Sequence, residues 1–218
     1  MSEFPGKIAL VTGAASGIGA ACARWLDAQA IGRLVLVDRD GEGLERLELD
    51  CDCSRVTGDV GDEALWERLE SEIVALDHAV VNAGIAAGDM IAATSLAGWR
   101  KVMAVNLDGA FLSLRTAMRR MTGGGAIVLT SSVSALKAEP GTAAYGASQA
   151  ALIQLARVAA KEGAAHGVRV NAIAPGGVDT PIWDNLPFFQ TLVDQYGGDR
   201  AAAMGATAGI ATPLGRYA

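Results

Sequence analysis

The sequence predicts a doubly wound α/β domain, a parallel sheet with helices on both faces, and three observations predict it. Short β-rich runs alternate with helical stripes from end to end. Several runs are apolar at consecutive positions, as strands covered on both faces are. The first run ends in a glycine cluster that opens a helix. Such alternation closes into a parallel sheet through right-handed crossovers.

The β-rich runs are residues 7–11, 33–37, 54–57, 78–81, 126–130 and 168–173. Between the first two, Ile18, Ala21, Cys22, Trp25 and Leu26 recur at the spacing of one helical face. Leu65, Trp66, Leu69, Ile73 and Leu76 form a second stripe. A third runs Trp99, Val102, Met103, Asn106, Leu107, Ala110, Phe111, Leu114, Met118 and Met121, and a fourth Leu152, Leu155, Ala156 and Ala159. Residues 183–206, rich in aromatics, Gly and Asp, read as a loop with a short helix over one sheet edge, on the substrate side. Trp183, Phe188, Phe189 and Tyr196 there suit either an apolar lid or a small satellite core. With no linker-like stretch and no repeat, residues 1–218 are expected to form one domain.

A net charge of −6 argues against nucleic-acid and anionic-membrane partners, which call for a basic stripe. No apolar run reaches the roughly 18 residues of a membrane span, and residues 1–13 lack a secretory pattern. A cytoplasmic protein is expected. Cys51 and Cys53 are too close for easy pairing, so reduced thiols are expected, with a redox pair as the alternative. No second Cys or His stands at zinc spacing, and no metal is expected. His78 and His166 read as structural or solvated.

Residues 8–19, from Ile8 to Gly19, read as strand, glycine turn and helix, with Gly13, Ser16, Gly17, Ile18 and Gly19 in the turn. Backbone N–H groups at such a helix start, with the positive end of its dipole, receive a pyrophosphate, and a Cβ would block the approach. Asp38 ends the second run about twenty residues on, where a carboxylate accepts hydrogen bonds from ribose hydroxyls. It would repel a 2′-phosphate, which favours NAD over NADP; Arg39 beside it works the other way. A solvated loop carboxylate is the competing reading of Asp38.

With these residues the chain resembles the short-chain dehydrogenase/reductase family, a Rossmann-like fold, over essentially its whole length. Residues 12–19 look like the family's cofactor turn, and Gly58, Asp59 and Val60 like its adenine-contacting turn. Asn82, Ala83 and Gly84 match its Asn-Asn-Ala-Gly motif except that Val81 replaces the first Asn. Asn106 stands where the family has a helix asparagine, Ser132 precedes Tyr145 by thirteen positions, and residues 175–181, with Pro175 and Val178, resemble its nicotinamide-side loop.

The resemblance implies an NAD(P)-dependent oxidoreductase interconverting a secondary alcohol and a ketone. Tyr145 is then the acid/base, Ser132 holds the substrate oxygen, and Asn106 anchors a proton-relaying water rather than serving as a satisfied core amide. The family's lysine four residues after the tyrosine is Gln149 here. On a helix that position shares the tyrosine's face, so Gln149 can hold ribose hydroxyls but cannot lower the tyrosine pKa by charge. A phenol of pKa about 10 is roughly one part in a thousand ionised at neutral pH. The alternative is therefore a catalytically impaired dinucleotide-binding protein of the same fold. The family's last helix and strand are missing from the pattern, which makes residues 168–173 an expected sheet edge. By resemblance, a homodimer or homotetramer is expected.

Overall fold

The computed structural model describes residues 4–218. Its sheet contains β1 (Ile8–Thr12), β2 (Arg33–Asp38), β3 (Asp52–Thr57), β4 (His78–Val81), β5 (Gly125–Thr130) and β6 (Val168–Ile173). All pairings are parallel, in the order β3-β2-β1-β4-β5-β6. This is the expected doubly wound, Rossmann-like sheet, and β6 lies at its edge. The chain reverses its direction of winding between β1 and β4, and a crevice opens there beyond the strand ends.

Both faces are covered. Leu10 of β1 and Val35 and Val37 of β2 join one core, while Ala9, Val11, Leu34 and Leu36 join the other. Successive side chains of one strand point to opposite faces, so a strand buried on both sides must be apolar throughout. The first core packs beneath α3 (Glu63–Glu72), α5 (Gly109–Arg120) and α6 (Ala143–Gly163). The second lies beneath α1 (Gly17–Ala28) and α2 (Gly41–Glu45).

Four expectations are corrected. The face of α1 that meets the sheet is Gly19, Ala20, Ala23 and Leu26, not the stripe through Ile18, Ala21 and Trp25. Small side chains let the helix start sit close to the strand end. Cys22, Trp25 and Leu26 instead border an apolar hollow of about 150 Å³ with Val80, Val128, Thr130 and Ile173. The short α2, capped where Asp40 accepts from the Gly43 N–H at 2.9 Å, was not expected. The third stripe is interrupted: α4 (Leu96–Met103) and α5 are joined by a π-helical turn, Ala104–Asp108, with Asn106 inside it.

Residues 183–206 are more ordered than a loop with one short helix. A 3-10 turn (Pro181–Asn185), α7 (Pro187–Gln195) and α8 (Arg200–Ala211) enclose a satellite core of Phe189, Ala203 and Met204. Phe189 is buried, while Phe188 and Tyr196 remain exposed.

Cys51 and Cys53 are free thiols with sulfurs 3.6 Å apart. Burial, then the Asp27 carboxylate and the second thiol, push the Cys51 thiol up and keep it protonated. Among the described residues no helix is long and apolar enough to cross a membrane, and no group of three or more metal-ligating side chains gathers.

Candidate active site

The crevice is built from the strand ends. After β1 the backbone turns through left-handed conformations at Gly13 (φ +67°) and Gly17 (φ +52°), which favour glycine. A Cβ at Gly19 would overlap the Gly13 carbonyl oxygen, so helix and turn approach only because this residue has no side chain. The exposed Ser16 makes no side-chain cap, and the first turn of α1 carries no acidic residue. No side chain of the first turn competes for its N–H groups, which could receive an anionic ligand.

Asp38 is held against this turn. One carboxylate oxygen accepts from the Ala15 N–H at 2.9 Å and the other from the Asp40 N–H at 3.0 Å. It is an anchored group, not a solvated loop carboxylate. Arg39 is exposed beside it.

Across the switch point, the buried Thr12 hydroxyl accepts from the N–H groups of Asn82 (2.9 Å) and Ala83 (3.1 Å). The Asn82 amide in turn donates to the carbonyls of Thr12 (3.2 Å) and Gly13 (3.4 Å). Gly84 follows, exposed at the end of β4. Asp59 closes its own turn by accepting from Gly61 (2.8 Å), and the Val60 carbonyl accepts from the buried Trp66 indole (2.7 Å).

The second half of the site lies beyond β5. The Ser131 hydroxyl donates to the Gln149 carbonyl (2.8 Å), which ties β5 to α6. Ser132 accepts from the Ser134 N–H (3.2 Å), and its hydroxyl lies close enough to the Tyr145 phenol to favour the phenolate. Burial pushes the Tyr145 phenol above its usual pKa; the Ser132 hydroxyl works against this, and no cation helps. Gln149 is 4% exposed, and its Oε1 is buried with no hydrogen-bond partner among the described residues.

Asn106 is fully buried, and its side chain is fully engaged. Its Oδ1 accepts from the Ile85 N–H (2.8 Å); its Nδ2 donates to the Ile85 carbonyl (3.0 Å) and to Ser148 Oγ (3.1 Å). Ser148 passes the connection on by donating to the Tyr145 carbonyl (2.7 Å). Both amide hydrogens are used inside the protein, so this side chain ties the loop after β4 to the tyrosine helix.

The loop after β6 closes the site. The Pro175 carbonyl accepts from Val133 (2.8 Å), and the Val178 carbonyl accepts from the Trp183 indole (2.9 Å). Trp183 stacks on Tyr217, whose ring lies where a Cβ of Gly177 would be.

A family model described as enoyl-(acyl carrier protein) reductase matches residues 13–211. The cis-4-hydroxycyclohexanecarboxylate dehydrogenase of Sinomonas cyclohexanicum is 38% identical over 202 residues, covering 84% of this chain and 78% of that protein. A short chain dehydrogenase/reductase from Burkholderia phymatum in complex with NAD is 30% identical, with a TM-score of 0.79 over 84% of this chain and 70% of that one. The chain belongs to the short-chain dehydrogenase/reductase family. The L-sorbose reductase of Gluconobacter frateurii, complexed with NADPH and L-sorbose, is also similar: TM-score 0.88, 27% identity, covering all of this chain and 86% of that one.

In this short-chain dehydrogenase/reductase the tertiary structure joins Gly13, Asp38 and Asn82 through the glycine turn, and Ser132, Tyr145, Gln149 and Asn106 through α6. Asp59 and Val60 follow Gly58, whose N–H donates to the Asp38 carbonyl (2.9 Å), and Val60 packs on Gly109 of α5. The sequence marks Thr12 and Thr180 only as members of the segments 12–19 and 175–181, and marks neither Ser148 nor Arg200. A lone hydroxyl ending the apolar run of β1 was the available signal for Thr12. Nothing local marks Arg200.

Proposed function

We propose that the protein is an oxidoreductase interconverting a small secondary alcohol and its ketone with a nicotinamide dinucleotide, NAD in preference to NADP. The pairing of Ser132 with the half-buried Tyr145 phenol, at the same carboxyl end of the sheet as the glycine turn, is the observation that carries this reading. The residues present fit the cofactor: a helix start that the missing Cβ of Gly19 lets close onto the Gly13 turn, an anchored carboxylate at Asp38, and an unpartnered buried oxygen on Gln149. The mixed alcohol and sugar substrates named for the relatives support the substrate class.

When bound, the dinucleotide supplies or takes up the hydride. The turn N–H groups hold its pyrophosphate, Asp38 and Gln149 take ribose hydroxyls, and the Asp38 charge disfavours a 2′-phosphate. Ser132 orients the substrate oxygen, and Tyr145 exchanges a proton with it. A phenol whose pKa is raised stays protonated at neutral pH. Tyr145 is therefore a ready proton donor for carbonyl reduction and a poor base for alcohol oxidation. Phe111 on α5 and Val158 on α6 stay exposed and suit a homo-oligomer, which light scattering would test.

The test has two parts. NADH and NADPH binding is followed by energy transfer from the tryptophans, and ketone reduction is compared between wild type and Tyr145→Phe. The reading expects tighter NADH binding and a loss of roughly 10²–10⁴ in turnover with binding retained. Gln149 favours a second reading, a dinucleotide-binding protein with little catalysis. Binding without turnover on any ketone or alcohol would establish that one instead.

A further inference from the structure

Arg200, the first residue of α8, lies far in sequence from every motif of the site, yet its guanidinium collects three partners from the loop after β6. Nη1 donates to Asp179 Oδ1 at 2.6 Å, Nε to Asp184 Oδ1 at 2.7 Å, and Nη2 to the Thr180 carbonyl at 3.1 Å. Its Cζ lies 5.7 Å from the ring centroid of Phe189, the buried centre of the satellite core. One side chain thus fastens the α7–α8 unit to the loop.

The fastened loop in turn meets the cofactor turn. A Cβ at Gly17 would stand 3.1 Å from Cβ and Cγ2 of Thr180, so Thr180 sits directly over the first residue of α1. The residue whose carbonyl Arg200 holds is therefore the one that roofs the glycine turn.

We propose that Arg200 is a positioning residue, a latch that holds the loop from Asp179 to Asp184 down over the glycine turn and so slows escape of a bound dinucleotide. The proposal rests on the cofactor reading above. Its chemistry is specific to arginine. A planar fork can serve a carboxylate on each of two edges and a carbonyl together, whereas a lysine ammonium is a point donor that cannot reach all three. An isolated surface pair contributes little, but here several charges share one cation and one ring face. The side chain is 37% exposed, so salt weakens the latch without abolishing it.

The experiment compares wild type with Arg200→Gln, Arg200→Lys and Asp184→Asn, the last removing one arm only. Backbone hydrogen exchange of residues 179–195 is measured without cofactor, and NADH dissociation by stopped-flow energy transfer. For Arg200→Gln we expect faster exchange confined to 179–195 and NADH leaving about fivefold faster or more. Arg200→Lys and Asp184→Asn should lie between it and wild type, and KM for the ketone should rise more than kcat falls. Unchanged exchange in 179–195 overturns the latch, as does acceleration spread equally through β1–β5, which marks a merely stabilising residue. Local acceleration with unchanged NADH dissociation overturns its role in cofactor retention. If wild type binds neither NADH nor NADPH, the cofactor reading fails by itself, and exchange in 179–195 alone decides whether Arg200 fastens the loop.

Discussion

The hydroxyl of Thr12 at the end of β1 accepts the backbone N–H of Asn82 at the end of β4, 2.9 Å away, and that of Ala83 at 3.1 Å. Those two strands flank the point where the sheet reverses its winding. One side-chain oxygen therefore continues the β1–β4 pairing past the strand ends and holds the loop after β4 against the glycine turn.

Replacing Thr12 with valine keeps the shape and deletes the acceptor. Two N–H groups then lose their partner at a cost of roughly 1–3 kcal/mol. Urea unfolding should show that loss and NADH titration a weaker Kd, while Thr12→Ser should restore both.

The Gly19→Ala change tests the close approach of α1. The added methyl would overlap the Gly13 carbonyl oxygen, so the helix start must move outward. NADH affinity should fall at least about tenfold, with a stability loss of roughly 1–3 kcal/mol from overpacking. Affinity equal to wild type in a calorimetric titration would show that the turn does not hold the pyrophosphate.

Gln149→Lys places a cation on the face of α6 shared with Tyr145. Burial now holds the phenol high, and an opposite charge within reach favours the phenolate. The rising limb of the pH profile for alcohol oxidation should move down by about one pH unit or more. Oxidation turnover near neutrality should rise by about 10²-fold. A pH–rate profile identical to wild type would remove Tyr145 from the role of base.

Acid stability offers a test away from the site. Asp77 accepts from the Lys7 ammonium (2.7 Å) and the Ile8 N–H (3.0 Å). Burial opposes ionisation, but these bonds outweigh it and hold the carboxyl below its usual value. A depressed folded pKa contributes stability above the unfolded value near 3.9, and that contribution disappears as pH falls through the folded one. Asp77→Asn should cost about 1 kcal/mol or less at pH 7, since the pair is partly exposed. The difference from wild type should shrink towards pH 2 in urea unfolding curves.

The fold was legible because its signals are local. A strand covered on both faces must be apolar throughout, and β1 and β2 are; the glycines of the first turn announce a backbone conformation that other residues avoid. The same local logic misplaced the buried face of α1. Large apolar residues suggested Ile18 and Trp25, but the close contact with the sheet demands the small Gly19, Ala20 and Ala23. The π turn at Ala104–Asp108 escaped notice because one extra residue in a turn hardly disturbs an apolar stripe.

By itself the sequence determined the six strands, the helices packed on both faces between them and the glycine turn, while its resemblance to the family marked Ser132, Tyr145 and Gln149 as candidate groups. The strands, helices and turn follow from side-chain period and backbone freedom, which act between near neighbours. The tertiary structure alone decided that Asn106 spends its amide on Ile85 and Ser148, that Thr12 holds the loop after β4, and that Arg200 fastens the loop beside Thr180. A hydrogen bond forms wherever folding brings donor and acceptor together, and no periodicity in the chain records which distant partner that will be.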